Sequence, residues 1–317
     1  MKMLLILDPL ESLKIHKDSS IAMMREAAAR GHALFVCGPH DVLMRQGKVT
    51  VKTAALAFAN GASWYALGGT AEADMADFDF VLNRKDPPFD SEYLYLTYLL
   101  EQAANQGATV LNNPTAVRGW NEKLSVAKFP QFAPPFIVTC RYAVILDFLA
   151  QHHDIVVKPL DGMGGSGVFH LTEDSPNKSA ILETVTHHEK RTIMAQRYLP
   201  EIKAGDKRIL VIDGEPLPYA LARIPKAGEL RGNLAAGGTG VAQLLSARDW
   251  EIASTVGKTL KQEGLFLVGL DVIGEYLTEI NVTSPTCMVE IAAQTQGTNK
   301  PCNPAARFVD ALEGIGN

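Results

Sequence analysis

The stretch Asp154-Ile-Val-Val-Lys-Pro-Leu-Asp-Gly-Met-Gly-Gly-Ser-Gly-Val-Phe-His-Leu171 decides the fold. Gly162, Gly164 and Gly167 satisfy G-x-G-x-x-G, the spacing of a dinucleotide-binding turn, but that turn must follow a strand and open a helix. Asp154 to Lys158 reads as a strand, and Val168 to Leu171 reads as a second strand, not a helix. A Walker-type phosphate loop is excluded as well, because no Gly-Lys-Ser/Thr closes the glycines. What remains is strand, glycine hairpin, strand. Such a hairpin lays backbone N–H groups over nucleotide phosphates, and small residues let the backbone come close. Lys158, just before the hairpin, is placed to neutralise phosphate charge.

Upstream, strand and helix signals alternate. Met3 to Leu7, Ala33 to Val36, Phe78 to Leu82 and Thr109 to Leu111 read as buried strands. Between them, Asp18-Ser-Ser opens a helix closed by Gly31, and Ser91 caps another closed by Gly107. Repeated strand–helix units imply a parallel α/β domain over residues 1–120. Residues 121–203 form a central lobe, starting with a helix near Asn121-Glu-Lys-Leu124 and holding the glycine hairpin. Residues 204–317 form a third unit. Its strands Lys207 to Ile212 and Leu217 to Arg223 are joined by the turn pair Asp213-Gly214. Ala247 to Glu263 reads as a helix, and a polar stretch from Gln294 to Pro304 precedes a short final helix.

Downstream of the hairpin, Gly269 to Asn281 reads as two strands joined by a turn. A turn centred near Glu275 sets Asp271 opposite Glu279, and alternation aims Glu279 and Asn281 to one side. Three oxygen donors on one patch suit magnesium, which favours carboxylates and keeps positions for phosphate and water. No His or Cys cluster competes, so zinc is not indicated. Residues 224–240 have neither helical nor strand periodicity and hold five glycines. A loop of this length reads as a mobile lid, with Lys226, Arg231 and Asn233 as its polar contacts. Lys207-Arg208, Arg223 and Arg84-Lys85 add positive charge for an anionic substrate beside the nucleotide.

Composition narrows the partners. With 47% hydrophobic and 21% charged residues the chain is an ordinary globular one, and a net charge of −5 argues against nucleic acid. Cys37, Cys140, Cys287 and Cys302 lack CxxC spacing and read as reduced thiols. No apolar run approaches the ~20 residues of a membrane span. A cytoplasmic protein is expected.

These residues together resemble the bacterial glutathione synthetases, a family of ATP-grasp ligases. The matching stretches run in order from Lys17-Asp-Ser-Ser20 and Arg84-Lys-Asp-Pro-Pro-Phe-Asp90 through Asn121-Glu-Lys-Leu124 and Lys158 to Gly165. They continue through Gly205-Asp-Lys-Arg208, Asp213-Gly-Glu-Pro216, Ala222-Arg-Ile-Pro225, Arg231 to Gly238 and Glu279 to Thr286. The resemblance implies an α/β fold in which the N-terminal domain precedes a two-lobed ATP-grasp unit. It implies ATP-dependent ligation of γ-glutamylcysteine to glycine through an acyl phosphate, with magnesium or manganese as cofactor. It also implies a homo-oligomer such as a tetramer. By the same resemblance Lys123, Lys158, Gly162, Gly164 and Gly165 grip ATP, Gln196, Tyr198 and Leu199 form the adenine hinge, and Asp206 holds the ribose. Asp271, Glu279 and Asn281 bind the metal. Arg208, Arg223 and Arg231 act on phosphate or peptide, while Lys17, Arg84, Ser284, Pro285 and Thr286 seat the substrate. A related ligase with another amino-acid acceptor, and a small-molecule kinase, are the competing readings.

Overall fold

The computed structural model of the chain describes residues 1–61, 63–226, 228–229, 232 and 237–316. The N-terminal part runs β1 (Lys2–Ile6), α1 (Ser19–Ala29), β2 (Ala33–Cys37), β3 (Val42–Arg45), β4 (Lys48–Phe58), β5 (Tyr65–Asp74), β6 (Phe80–Asn83), α2 (Ser91–Asn105), β7 (Val110–Leu111) and α3 (Pro114–Gly119). Strands β2, β1, β6 and β7 are parallel neighbours, as strand–helix alternation predicts. β1 lies at their centre: Met3 and Leu5 face one core cluster, Leu4 and Ile6 the other. A strand covered on both faces is apolar throughout, which is why it was legible. Beyond β2 the sheet continues with the antiparallel strands β3, β4 and β5, which sequence reading did not anticipate.

Helix ends follow local chemistry. The Asp18 carboxylate accepts the Ile21 N–H at 2.9 Å and caps α1. At α2 the cap is Asp90, accepting from Tyr93, while Ser91, the expected cap, is the first helical residue. The expected helix near Asn121 is instead a 3-10 turn over Leu124–Lys128.

The central lobe comprises β8 (Phe136–Thr139), α4 (Tyr142–His152), β9 (Asp154–Pro159), β10 (Phe169–Thr172), α5 (Lys178–Thr186) and β11 (Ile193–Arg197), with antiparallel strands in the order β10-β9-β11-β8. A core of its own, from Ile145 to Ala195, fills it. The third unit runs β12 (Asp206–Ile212), β13 (Glu215–Ile224), β14 (Thr239–Leu244), α6 (Ala247–Gln262), β15 (Leu267–Ile273), β16 (Tyr276–Asn281), α7 (Met288–Thr295) and α8 (Pro304–Ile315). Asp213 and Gly214, both at positive φ, close the β12–β13 hairpin. Helix α7, which sequence reading did not anticipate, ends at Thr295, just inside the polar stretch that begins at Gln294.

Helix α6 covers one face of this third sheet. The other face is shared between α7 and α8 at one end and an open cleft at the other. Among the described residues, no helix is long and apolar enough to cross a membrane. All four cysteines are free.

Candidate active site

A cleft of about 360 Å³ opens where the three sheets meet. The central lobe supplies one wall. Along β9, Ile155 and Val157 point into the lobe core while Val156 and Lys158 face the cleft, as alternation requires. Lys158 is buried, and its Nζ lies 3.5 Å from both the Glu279 carboxylate and the Thr278 carbonyl. The glycine loop follows and returns as β10, antiparallel to β9. A side chain at Gly162 would set its Cβ 2.9 Å from the Ser166 carbonyl, and Gly165 sits at φ +80°, so the turn requires glycine at both.

Asn121 ties this loop to Lys123. Its Oδ1 accepts the N–H groups of Lys123 and Leu124 at 3.0 Å, and its Nδ2 donates to the Leu160 carbonyl. The buried Lys123 ammonium donates to the Gly162 carbonyl at 2.6 Å and pairs closely with Glu122. At the end of β11, Gln196 is buried with its Nε2 lacking a partner. Tyr198 stacks on His170 with centroids 4.3 Å apart. Val156, Leu199, Ile202 and Ile273 make this end of the cleft apolar, a slot suited to a flat base.

The third sheet supplies the charged floor. Arg208 on β12 pairs in register with Asp271 on β15, which pairs with Glu279 on β16. The guanidinium of Arg208 makes two bonds to the Asp271 carboxylate, one of them Nη2 to Oδ2 at 3.0 Å, while Arg223 reaches the same oxygen at 2.9 Å. Arg223 also pairs closely with Asp206. A bulge brings Glu279 into this row. The hairpin pairs Ile273 with Tyr276 and Val272 with Leu277, so a regular ladder would set Thr278 opposite Asp271. Thr278 is the extra residue, and the register shift sets Glu279 there instead. Thr278 and Glu279 both line the cleft as a result, while Leu277 and Ile280 stay in the core.

Burial and charge compete at each of these groups. Burial alone would raise Asp271, but Arg208 and Arg223 outweigh it and hold the carboxyl well below the usual range. Burial would raise Glu279 too, and Lys123 and Lys158 together hold it low. Burial depresses Lys158, partly offset by Glu279. At Lys123 burial is outweighed by Glu279 and Glu122, and the ammonium is favoured. Asp206 goes the other way: burial pushes its carboxyl up to about 7 against the pull of Arg223.

Among the described residues no three His, Cys, Asp or Glu side chains cluster as a metal site. The donor set is two carboxylates and an amide. Asn281 Nδ2 donates to the Gly269 carbonyl, which presents its oxygen as the remaining ligand atom. Hard oxygen donors of this kind fit magnesium.

Of the sequence-predicted residues, the cleft gathers Lys123, Lys158, Gly162, Gly164, Gly165, Gln196, Tyr198, Leu199, Asp206, Arg208, Arg223, Asp271, Glu279, Asn281, Ser284, Pro285 and Thr286. Arg231 and Asn233 of the expected lid lie outside the described residues. Lys17, ahead of α1, is not part of the cleft wall. Nor is Arg84, which is buried behind that wall. Its Nη2 donates to the Pro285 carbonyl and its Nε to Ser20 Oγ, both at 3.0 Å, while Nη1 lacks a partner. Lys207, next to Arg208, points to the opposite face and pairs with Asp249. Sequence reasoning did not single out Glu122, Asp86 or Cys287, all of which line the cleft. Glu122 and Asp86 stand beside basic residues already chosen, and that adjacency was the available signal.

Residues 1–118 match the profile of the prokaryotic glutathione synthetase N-terminal domain, and residues 122–296 that of its ATP-grasp domain. The glutathione synthetase of Nitrosomonas europaea is 56% identical over 317 residues, covering 99% of this chain and 98% of that protein. That of Bordetella pertussis is 55% identical over 319 residues, covering 99% of each. Among solved structures, the crystal structure of the D-cycloserine synthetase DcsG is similar at a TM-score of 0.68. That match covers 99% of this chain and 100% of DcsG, and at 16% identity the likeness is one of fold.

Proposed function

The chain belongs to the prokaryotic glutathione synthetases, ligases of ATP-grasp fold, and from that premise we propose that it joins γ-glutamylcysteine to glycine with cleavage of ATP. A carboxylate is a poor acyl donor. The cysteinyl carboxylate of the dipeptide therefore attacks the γ-phosphorus of ATP, the bond to ADP breaks, and an acyl phosphate forms. The glycine amine then attacks the acyl carbon, phosphate departs, and the amine proton is lost to solvent or a base.

In this reading the protein positions reactants and stabilises charge, and no nucleophilic side chain is required. Lys123, Lys158 and the glycine loop hold the phosphates. Gln196, Tyr198 and Leu199 border the adenine, and the Asp206 carboxylate accepts from the ribose hydroxyls. Arg208 and Arg223 stabilise the charge that develops between phosphate and acyl carbon. Ser284, Pro285 and Thr286 border the peptide, and Arg84 acts indirectly by fixing the Pro285 carbonyl. Asp271, Glu279 and Asn281 would hold magnesium, which neutralises phosphate charge when bound. We place the reaction in the cytoplasm and the enzyme in a homo-oligomer.

The observation that supports this reading most is the row Arg208, Asp271, Glu279 facing Lys123 and Lys158, in a chain similar to glutathione synthetases from end to end. The purified protein is given ATP, magnesium, γ-glutamylcysteine and single amino acids. Phosphate release should require both the dipeptide and glycine. Release that proceeds with another amino acid and not with glycine would make it a ligase of different acceptor, and release without any acceptor would make it a kinase or ATPase.

A further inference from the structure

The carboxylates Asp86, Glu122, Asp206, Asp271 and Glu279 line the cleft, and they are not equivalent. Glu122 pairs with Lys123, Asp206 with Arg223, Asp271 with Arg208 and Arg223, and Glu279 with Lys123 and Lys158. Asp86 pairs with no cation among the described residues. Its Oδ1 accepts the Ser284 hydroxyl at 2.5 Å, and its Oδ2 has no partner among them. Arg84, buried behind the wall, feels this charge without pairing with it. Lys85 is taken up elsewhere: its ammonium lies 2.9 Å from the Asp8 carboxylate and donates to the main-chain carbonyl of Asp86.

Asp86 is held in place all the same. It follows β6, at the end where a parallel sheet presents its ligand groups. Its N–H donates to Asp8 Oδ2 at 2.9 Å, and Asp8 stands just beyond β1. Two neighbouring strands and Ser284 thus fix a carboxylate whose second oxygen is left for a ligand. Pro285, next to Ser284, shares Gly269 with Arg208: a Cβ on that glycine would lie 2.9 Å from Pro285 and 2.8 Å from Arg208. The Asp86 wall therefore adjoins the arginine row.

We propose that Asp86 binds the α-ammonium of the γ-glutamyl group, and so selects that group over other acyl-cysteines. The inference rests on the proposed ligation of γ-glutamylcysteine. ATP brings only negative charge, while the dipeptide brings two carboxylates and one ammonium. An ammonium leaves water at low cost only against an anion, and Asp86 is the cleft carboxylate not already neutralised. A charge-assisted bond to its Oδ2 supplies the match. The glycine amine is a poorer fit, because it must reach the acyl carbon unprotonated, and a carboxylate that held it as ammonium would slow the attack.

The probe is N-glutarylcysteine, which is γ-glutamylcysteine without the amino group. Phosphate release with ATP, magnesium and glycine is measured for both acyl-cysteines, in the parent and in Asp86→Asn. Asparagine keeps an oxygen for the Ser284 hydroxyl and loses the charge. The parent should prefer γ-glutamylcysteine by about ten- to a hundred-fold in kcat/KM, the worth of one hydrogen bond to a charged group. In Asp86→Asn the preference should shrink to within about three-fold, through a higher KM for γ-glutamylcysteine, with the KM for ATP within about two-fold of the parent. An unchanged preference would overturn the proposal. So would an equal loss on both acyl-cysteines, which would make Asp86 a support for Ser284, or a rise in the KM for glycine alone, which would move it to the acceptor. A parent that releases no phosphate with γ-glutamylcysteine and glycine would overturn the reading of the cleft and this inference with it. An active parent whose preference survives in Asp86→Asn would strike the inference alone.

Discussion

Asp206 is a cleft group whose carboxyl burial raises toward neutrality. Its carboxyl is buried beside Arg223, and one of its oxygens, Oδ1, has no partner in the ligand-free protein. Burial raises it to about 7, so it is protonated below that pH and ionised above. A ribose hydroxyl donates more strongly to the ionised carboxylate. Affinity for ADP should therefore rise as pH increases from 6 to 8, and Asp206→Asn should abolish that rise. The sign for stability is opposite. A carboxyl raised above its unfolded value of ~3.9 contributes stability that is lost as pH climbs through its folded value. The melting temperature of the ligand-free protein should fall from about pH 4 to about pH 7 and level off above that, and Asp206→Asn should flatten the fall. Calorimetric titration and thermal melts check both signs, and a pH slope kept in Asp206→Asn would assign it to another group. Single residues of this kind were partly legible in the sequence. Lys158 followed from its strand and the glycines after it, and Asp271 with Glu279 from alternation. The indirect placing of Arg84 was not, because its partners Ser20 and Pro285 are distant in sequence and its contact to Pro285 is to a backbone carbonyl that carries no residue signal.

At the scale of elements, the β15–β16 hairpin depends on one inserted residue. The reading that set Asp271 opposite Glu279 assumed a turn centred on Glu275. The turn is instead the pair Gly274-Glu275, and the bulge at Thr278 makes up the difference. Deleting Thr278 should give a regular hairpin in which Leu277 stays opposite Val272 and Glu279 stays opposite Asp271 on the cleft face. The carboxylate row is then kept, and ligase activity should stay within about ten-fold of the parent. Glu279→Gln should instead lower it by about a hundred-fold or more, since a charged contact at the reacting phosphates is lost. Phosphate release measures both, and a deletion as damaging as Glu279→Gln would show that the bulge itself shapes the site. Other elements gave weaker signals for physical reasons. β5 buries neither face, so it has no apolar alternation to read. β4 does alternate at Val49, Val51 and Thr53, but it lies among antiparallel partners that the strand–helix pattern does not announce. α7 follows Cys287, which has positive φ and makes no capping bond, so the usual helix-start signal is absent.

At the scale of the whole molecule, the apolar cores do not follow the order of the sheets. Met3, Leu5, Ile21 and Met24 from the N-terminal part share one cluster with Leu210 and Ile212 of the third sheet and Phe266 just before β15, joined by Phe308, Val309 and Leu312 of α8. Ion pairs of Arg30 with Asp310 and Glu313 fasten α8 to α1 from outside. The central lobe, by contrast, encloses its own cluster between Ile145 and Ala195. The proposed divisions at residues 120 and 203 thus separate stretches of chain, two of which share a core. The lobe that carries the glycine loop has this core of its own, while Met194 on β11 packs into the cluster beneath the third sheet. This arrangement predicts how the protein comes apart. Phe308 is fully buried against Phe266, with ring centroids 5.6 Å apart, so Phe308→Ala should cost about 3–5 kcal/mol. Hydrogen exchange followed by mass spectrometry should then show β1, β2, β12 and β13 losing protection together, while β9, β11 and α4 keep theirs. Separate loss of the N-terminal strands, with β12 and β13 unaffected, would mean that α8 does not weld the two sheets into one cooperative unit.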